Sequence, residues 1–162
     1  MELLLVRHAI ARESEPDQPD EARALTGRGR RRFARSVMGL HRLGIRLDLV
    51  LHSPLLRAVQ TAEGLVPLLD GRTEVTELLG AAPGAELVLM LSAHGERRVA
   101  LVGHEPWMGD LLALLVHGSR DSGGNYPFRK GGVAWLVGDP GAGLMTVRAF
   151  LPPKILRGMA RR

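Results

Sequence analysis

The sequence predicts an α/β fold: a three-layer sandwich whose mainly parallel central sheet is flanked by helices, with an antiparallel edge strand near the C-terminus. Three observations lead there. Short apolar runs alternate with helical patterns between residues 3 and 118. After residue 131, "VAWLV" and "LMTVRAF" follow one another with no helix between them, so they pair antiparallel. The 162 residues, 45% hydrophobic and 24% charged, show no internal repeat or linker and suit one domain spanning 1–162.

Leu3 to Val6 reads as the first strand, and residues 12–25, rich in Asp, Glu and Pro, as a polar loop. The arginine-rich stretch 27–36, "GRGRRRFARS", opens an amphipathic helix: Thr26 is its N-cap, Phe33, Val37 and Leu40 repeat at helical spacing, and Gly44 stops it. Residues 48–52 form a second strand. Ser53 and Pro54 then read as N-cap and first helical position, and Leu55, Val59, Ala62, Val66 and Leu69 mark a buried helix stripe. Residues 74–79 suggest a short strand and turn, and Leu87 to Ser92 a helix ending before Gly95. Residues 99–103 are a third strand, and Met108, Leu111, Leu112 and Leu115 a helix stripe that Gly118 closes. A Gly-rich loop over 118–131 leads to the last two strands, joined by "GDPGAG".

Composition narrows the function. The chain has no cysteine, which excludes disulfides, thiolate metal sites and a cysteine nucleophile and agrees with a reducing compartment. No run approaches the roughly 18 apolar residues of a membrane helix, and "MELLLV" lacks the basic flank and length of a signal peptide, so a cytoplasmic protein without a membrane partner is expected. A net charge of +5 and a pI near 10.9 raise the possibility of a nucleic-acid partner. Much of that charge lies in the arginine helix, however, where it reads better as a solvated face.

The polar residues then fall into place. Arg7 and His8 follow the first strand, Arg57 sits in the first turn of the helix after the second, and His104 follows the third. Ligands of open α/β sheets bind outside the carboxyl ends of the strands, so these four face one crevice, joined by the donor-rich starts of two helices. Guanidinium holds phosphate oxygens bidentately, and a neutral imidazole nitrogen is a competent nucleophile at pH 7. The pattern points to phosphoryl transfer, with His8 facing phosphorus. A metal on His8 and His104 is disfavoured by the neighbouring arginines and the lack of a third ligand at suitable spacing.

These stretches also resemble a known family. "LLLVRHAIA" is similar to the Arg-His-Gly motif of the histidine phosphatase (phosphoglycerate-mutase-like) superfamily, in its Arg-His-Ala form. "SPLLRAVQTAE" (53–63), "LVGHEP" (101–106) and "RALTGRGRRR" (23–32) resemble three further motifs, in family order. The resemblance implies His8 as the phosphorylated nucleophile, Arg7 and Arg57 as phosphate clamps, and His104 completing the phosphate pocket. It also implies Glu77, in "VTELLG", as the candidate leaving-group acid, whereas Glu105 reads as the opening of a helix. His52 is expected at the pocket rim, and His41, His94 and His117 as structural.

With little chain to spare for a lid, the layout resembles the small SixA-type phosphohistidine phosphatases. The expected reaction is dephosphorylation of phosphohistidine on a protein without metal or organic cofactor. A P–N bond is labile, which lessens the need for a strong acid. The alternatives are a phosphatase of small phosphate esters and, from another class, a non-catalytic module binding phosphate or nucleic acid.

Overall fold

Leu3, Leu4, Leu5 and Val6 are all buried, so neither face of their strand meets water. The computed structural model, which describes residues 1–161, explains why. Strands β1 (Glu2–Arg7), β2 (Leu47–His52), β3 (Leu69–Val75), β4 (Arg98–Gly103), β5 (Val133–Gly138) and β6 (Met145–Leu151) form one sheet in the order β3-β2-β4-β1-β5-β6. The first four run parallel; β5 is antiparallel to β1, and β6 to β5. Helices α1 (Gly27–Arg42), α2 (Leu56–Gly64) and α5 (Pro153–Met159) cover one face, where Phe33, Val37, Ala62 and Leu156 pack on Leu4, Val6 and Val102. Helices α3 (Ala85–Ala93) and α4 (Trp107–His117) cover the other, where Leu87, Leu91, Leu111 and Leu115 pack on Leu3, Leu5 and Leu101. Alternate residues of each central strand thus feed opposite cores, and the three-layer sandwich is the predicted one.

Two predicted helix ends are confirmed in detail. Thr26 caps α1 by accepting a bond from Gly29 N at 2.9 Å, and Gly118, at φ +79°, ends α4. Three expectations need correction. Ser53 and Pro54 do not start α2, which begins at Leu56 with Leu55 in the capping position and no side-chain cap. The stripe drawn from Leu55 to Leu69 is not one helix: α2 stops at Gly64, Pro67 lies in a 3-10 turn, and Leu69 already begins β3. The strand placed at 74–79 therefore runs over Leu69–Val75, followed by a 3-10 turn at Glu77–Leu79; its mostly exposed "LDGRTEV" lacks the apolar alternation that marks a buried strand.

After β6 the sequence carries no helical periodicity, yet Pro153–Met159 form helix α5. Helix α5 forms because Leu156 has somewhere to go: it is fully buried between α5, α1 and the sheet. Close approach is possible because Gly39 has no side chain; a Cβ there would lie 2.1 Å from the Leu156 carbonyl oxygen. No helix among the described residues is long and apolar enough to cross a membrane.

Candidate active site

The three neighbouring strands β2, β4 and β1 end side by side, and the carboxyl end of β4 organises the other two. Val102 O accepts from Ser53 N at 3.1 Å, and Gly103 O accepts from His8 N at 3.0 Å. Adjacent strands lie about 4.8 Å apart. Side chains leaving β1 and β4 at the same level are therefore near neighbours, and the rings of His8 and His104 are 5.2 Å apart, tilted by 47°. Both are buried, as is Arg57. The four predicted residues come to this end of the sheet. A cavity of about 1190 Å³ lined by Met1, Glu2, Asp48, Arg98 and Gly138, among others, lies at the opposite, amino end and contains none of them.

The ring of His8 has a determined tautomer. Its Nδ1 lies 2.7 Å from Ala9 O, and a carbonyl oxygen only accepts, so Nδ1 carries the proton and Nε2 keeps a free lone pair. The acceptor is itself held in place: Ala9 N donates to the buried Thr61 Oγ1 at 3.0 Å, and Thr61 donates to Arg57 O at 2.6 Å. Burial, reinforced by the charges of His104, Arg57 and Arg7, lowers the His8 pKa to about 3 against the lift from Ala9 O. The ring is neutral at pH 7. His104 is lowered to about 4, chiefly by burial and then by Arg57. Its Nε2 meets Ser53 Oγ at 2.8 Å, leaving Nδ1 buried without a partner.

The two arginines are anchored differently. Arg7 donates from Nη1 to Phe128 O at 2.6 Å, and Phe128 N donates to Glu105 Oε1 at 2.5 Å. Burial pushes the Glu105 carboxyl up, partly offset by its bonds from Gly109 N and Phe128 N. Loop 118–131 is thus a wall of the site. Arg57 instead donates to Asp20, from Nη1 to the backbone oxygen at 2.8 Å and from Nη2 to Oδ2 at 2.9 Å. Asp20 also accepts from Arg23 Nε at 2.7 Å; burial alone would raise its pKa, but the two arginines hold it low.

Among the described residues, three buried side-chain polar atoms lack any partner: Arg7 Nε, Arg57 Nε and His104 Nδ1. All three belong to this site. Buried N–H groups are costly to leave unbonded, so an anion that accepted from the two arginine Nε–H groups, and from His104 Nδ1 in the tautomer that protonates it, would be strongly favoured. No group of three His, Asp or Glu side chains among the described residues could hold a metal ion.

Glu77 lies in the turn after β3, exposed and without a side-chain hydrogen bond, where Thr76 N bonds His52 O. Ser53, read as a cap, accepts from Leu55 N at 3.2 Å just before α2 and also meets His104. Glu105 lies two residues before α4, which begins at Trp107; its carboxylate accepts from Gly109 N in the first turn of that helix and also ties down Phe128. The other histidines have local partners: His52 with Ser53 O, His41 with Arg46, His94 with Glu96, His117 with Tyr126. Asp20, Arg23 and Thr61 escaped the sequence reading as site residues, although Arg23 and Thr61 lie within motifs that it singled out.

Residues 3–80 match the histidine phosphatase superfamily (branch 1). An uncharacterised protein of Picosynechococcus sp. (strain PCC 7002) is 33% identical over 143 residues, which is 84% of each chain. The chain belongs to the histidine phosphatase superfamily. The structure of the protein histidine phosphatase SixA complexed with tungstate superimposes with a TM-score of 0.81 at 26% identity, covering 96% of this chain and 99% of that one. A phosphoserine phosphatase from Entamoeba histolytica, in complex with 3-phosphoglyceric acid, shares the fold at 14% identity, with a TM-score of 0.68 over 96% and 98% of the two chains. This histidine phosphatase is therefore SixA-like in fold and a hydrolase that works through a histidine nucleophile.

Proposed function

We propose that this histidine phosphatase removes phosphate from phosphohistidine on a protein, with His8 as its nucleophile, and that 1–162 form one catalytic domain working in the cytoplasm. His8 Nε2 attacks phosphorus, the P–N bond to the substrate breaks, and the departing imidazole nitrogen keeps the electron pair, so the substrate leaves neutral when its other nitrogen holds a proton. Arg7, Arg57 and His104 Nδ1–H share the charge on the equatorial oxygens, with Ser53 O–H donating to His104 Nε2 to keep that tautomer. Water then cleaves phospho-His8, releasing inorganic phosphate. No step calls for a metal or cofactor.

The observation that carries this reading is the set of three unpartnered buried nitrogens, Arg7 Nε, Arg57 Nε and His104 Nδ1, around a histidine whose Nε2 lone pair is free. The protein substrate is supported by the use made of the two long irregular segments: one anchors Arg57 through Asp20 and the other anchors Arg7 through Phe128, so neither is spare chain for a lid. The fold shared with a phosphatase that binds 3-phosphoglyceric acid favours a second reading, a small phosphate ester with Glu77 protonating the leaving oxygen.

A hydrolysis panel decides between them. Phosphohistidine peptides should turn over faster than phosphoserine, phosphotyrosine or sugar phosphates; the reverse order would establish the second reading. The trapped phosphoenzyme should be acid-labile, base-stable and phosphorylated on Nε2 of His8; phosphate on another residue would remove His8 from its role.

A further inference from the structure

Charge is divided unevenly over the molecule. Helices α1 and α5 carry eight of the 22 lysines and arginines and no acidic residue, so the remaining 14 basic and 17 acidic residues have a net charge of −3. A groove of about 470 Å³ between the two helices is lined only by Arg28, Arg31, Arg32, Arg35 and Arg157. None of these five is in a salt bridge among the described residues. Burial and the charges of Arg32 and Arg35 push the Arg157 pKa down, the mark of cations crowded without an anion. The close seat of Leu156 on Gly39 makes the spacing of the two rows rigid.

We infer that this arginine groove is the docking site for an acidic segment of the phosphoprotein substrate, which aligns its phosphohistidine with His8. The inference rests on the protein-substrate reading given above. The groove runs toward the reaction: Arg32 and Arg157 also line a recess with Ala9, Ile10 and Lys130, and Thr26 at the start of α1 bonds Ile10 O, two residues beyond His8. Guanidinium groups pair bidentately with carboxylates, and the packed helix backbones hold the roots of the two arginine rows at a fixed spacing. The exposed Met38 on α1 and Ile155 on α5 add the apolar contacts common in protein interfaces. A single-stranded nucleic acid needs aromatic platforms, and the one aromatic residue on these two helices, Phe33, is buried in the core.

The test compares two phosphohistidine peptides, one flanked by six Asp or Glu residues and one with serines in their place, on wild type and the Arg31→Glu/Arg35→Glu variant. The acidic peptide should have a KM about tenfold lower than the neutral one on wild type, with the advantage fading at about 0.5 M salt. The variant should lose that advantage while its turnover of p-nitrophenyl phosphate stays unchanged. If the variant loses p-nitrophenyl phosphate turnover, Arg31→Gln/Arg35→Gln replaces it under the same criteria. Equal KM values for both peptides on wild type would overturn the docking site. Should neither phosphopeptide be hydrolysed, the substrate reading fails, and the groove is judged by binding of the unphosphorylated acidic peptide: loss in the variant upholds it, equal binding overturns it. Tighter wild-type binding to a 20-base-pair DNA duplex or to phosphatidylserine vesicles, abolished in the variant, would also overturn it.

Discussion

Arg57 and Arg31 are the same side chain in opposite circumstances. Arg57 is buried, with two of its nitrogens held by Asp20 and its Nε left unbonded beside His8 and His104. Arg31 lies exposed in a row of its own kind, with no acid on its own helix or on α5 across the groove. Holding a charge inside the protein in one orientation requires neighbours from distant parts of the chain; leaving it in water requires none. A buried arginine with an unbonded N–H therefore suits a small, fixed anion, whereas exposed ones suit a larger and less defined partner.

The difference can be broken from its buried side first. His8→Ala should lower turnover by about 10⁴-fold or more and abolish the phosphoenzyme, measured by single-turnover quench. Arg57→Ala should lower kcat/KM by about 10²- to 10³-fold on every substrate, small or large, in steady-state assays. Thr61→Val strips the partner from buried Ala9 N and should cost about 1–3 kcal/mol in denaturant unfolding, with slower turnover as the His8 tautomer loosens. Glu77→Gln should change phosphohistidine hydrolysis by less than about threefold, while a much larger loss on phosphomonoesters would identify it as an acid for those substrates.

Acid sharpens the same contrast. His8 and His104 titrate at about 3 and about 4 in the folded chain, against an ordinary value of 6.5. As pH falls, the unfolded chain takes up protons first, so stability is full above about 6.5 and drains away between 6.5 and the folded values. Melting temperatures from pH 7 to 4.5 should fall in wild type and fall less in His8→Asn/His104→Asn. The exposed arginines stay charged throughout and contribute nothing to that slope.

Much of the layout was legible before any coordinates. Thr26, Phe33 and Val37 announce α1 by local spacing, and the Met108 to Leu115 stripe announces α4. Local spacing fails where an element owes its existence to a distant neighbour. Helix α5 is seven residues long and is held by Leu156 against Gly39, and β3 is a polar strand formed by pairing with β2. The same limit explains the site. Ser53 reads as a helix cap because it precedes a helix, and its hydroxyl does accept from Leu55 N, but the same hydroxyl also reaches His104, 51 residues away, a partner no local pattern shows.

By itself the sequence determined that four residues able to hold and attack a phosphate leave the same end of a sheet, because strand period and helix starts are set by neighbouring side chains. Only the tertiary structure decided which nitrogen of His8 is free, which groups hold the two arginines, and that five arginines of α1 and α5 line one groove without an acid. The arginine anchors reach across 37 residues of chain from Arg57 to Asp20 and 121 from Arg7 to Phe128, and the Ala9 carbonyl that sets the His8 tautomer is steadied by Thr61, 52 residues beyond Ala9; no local pattern encodes partners that far away.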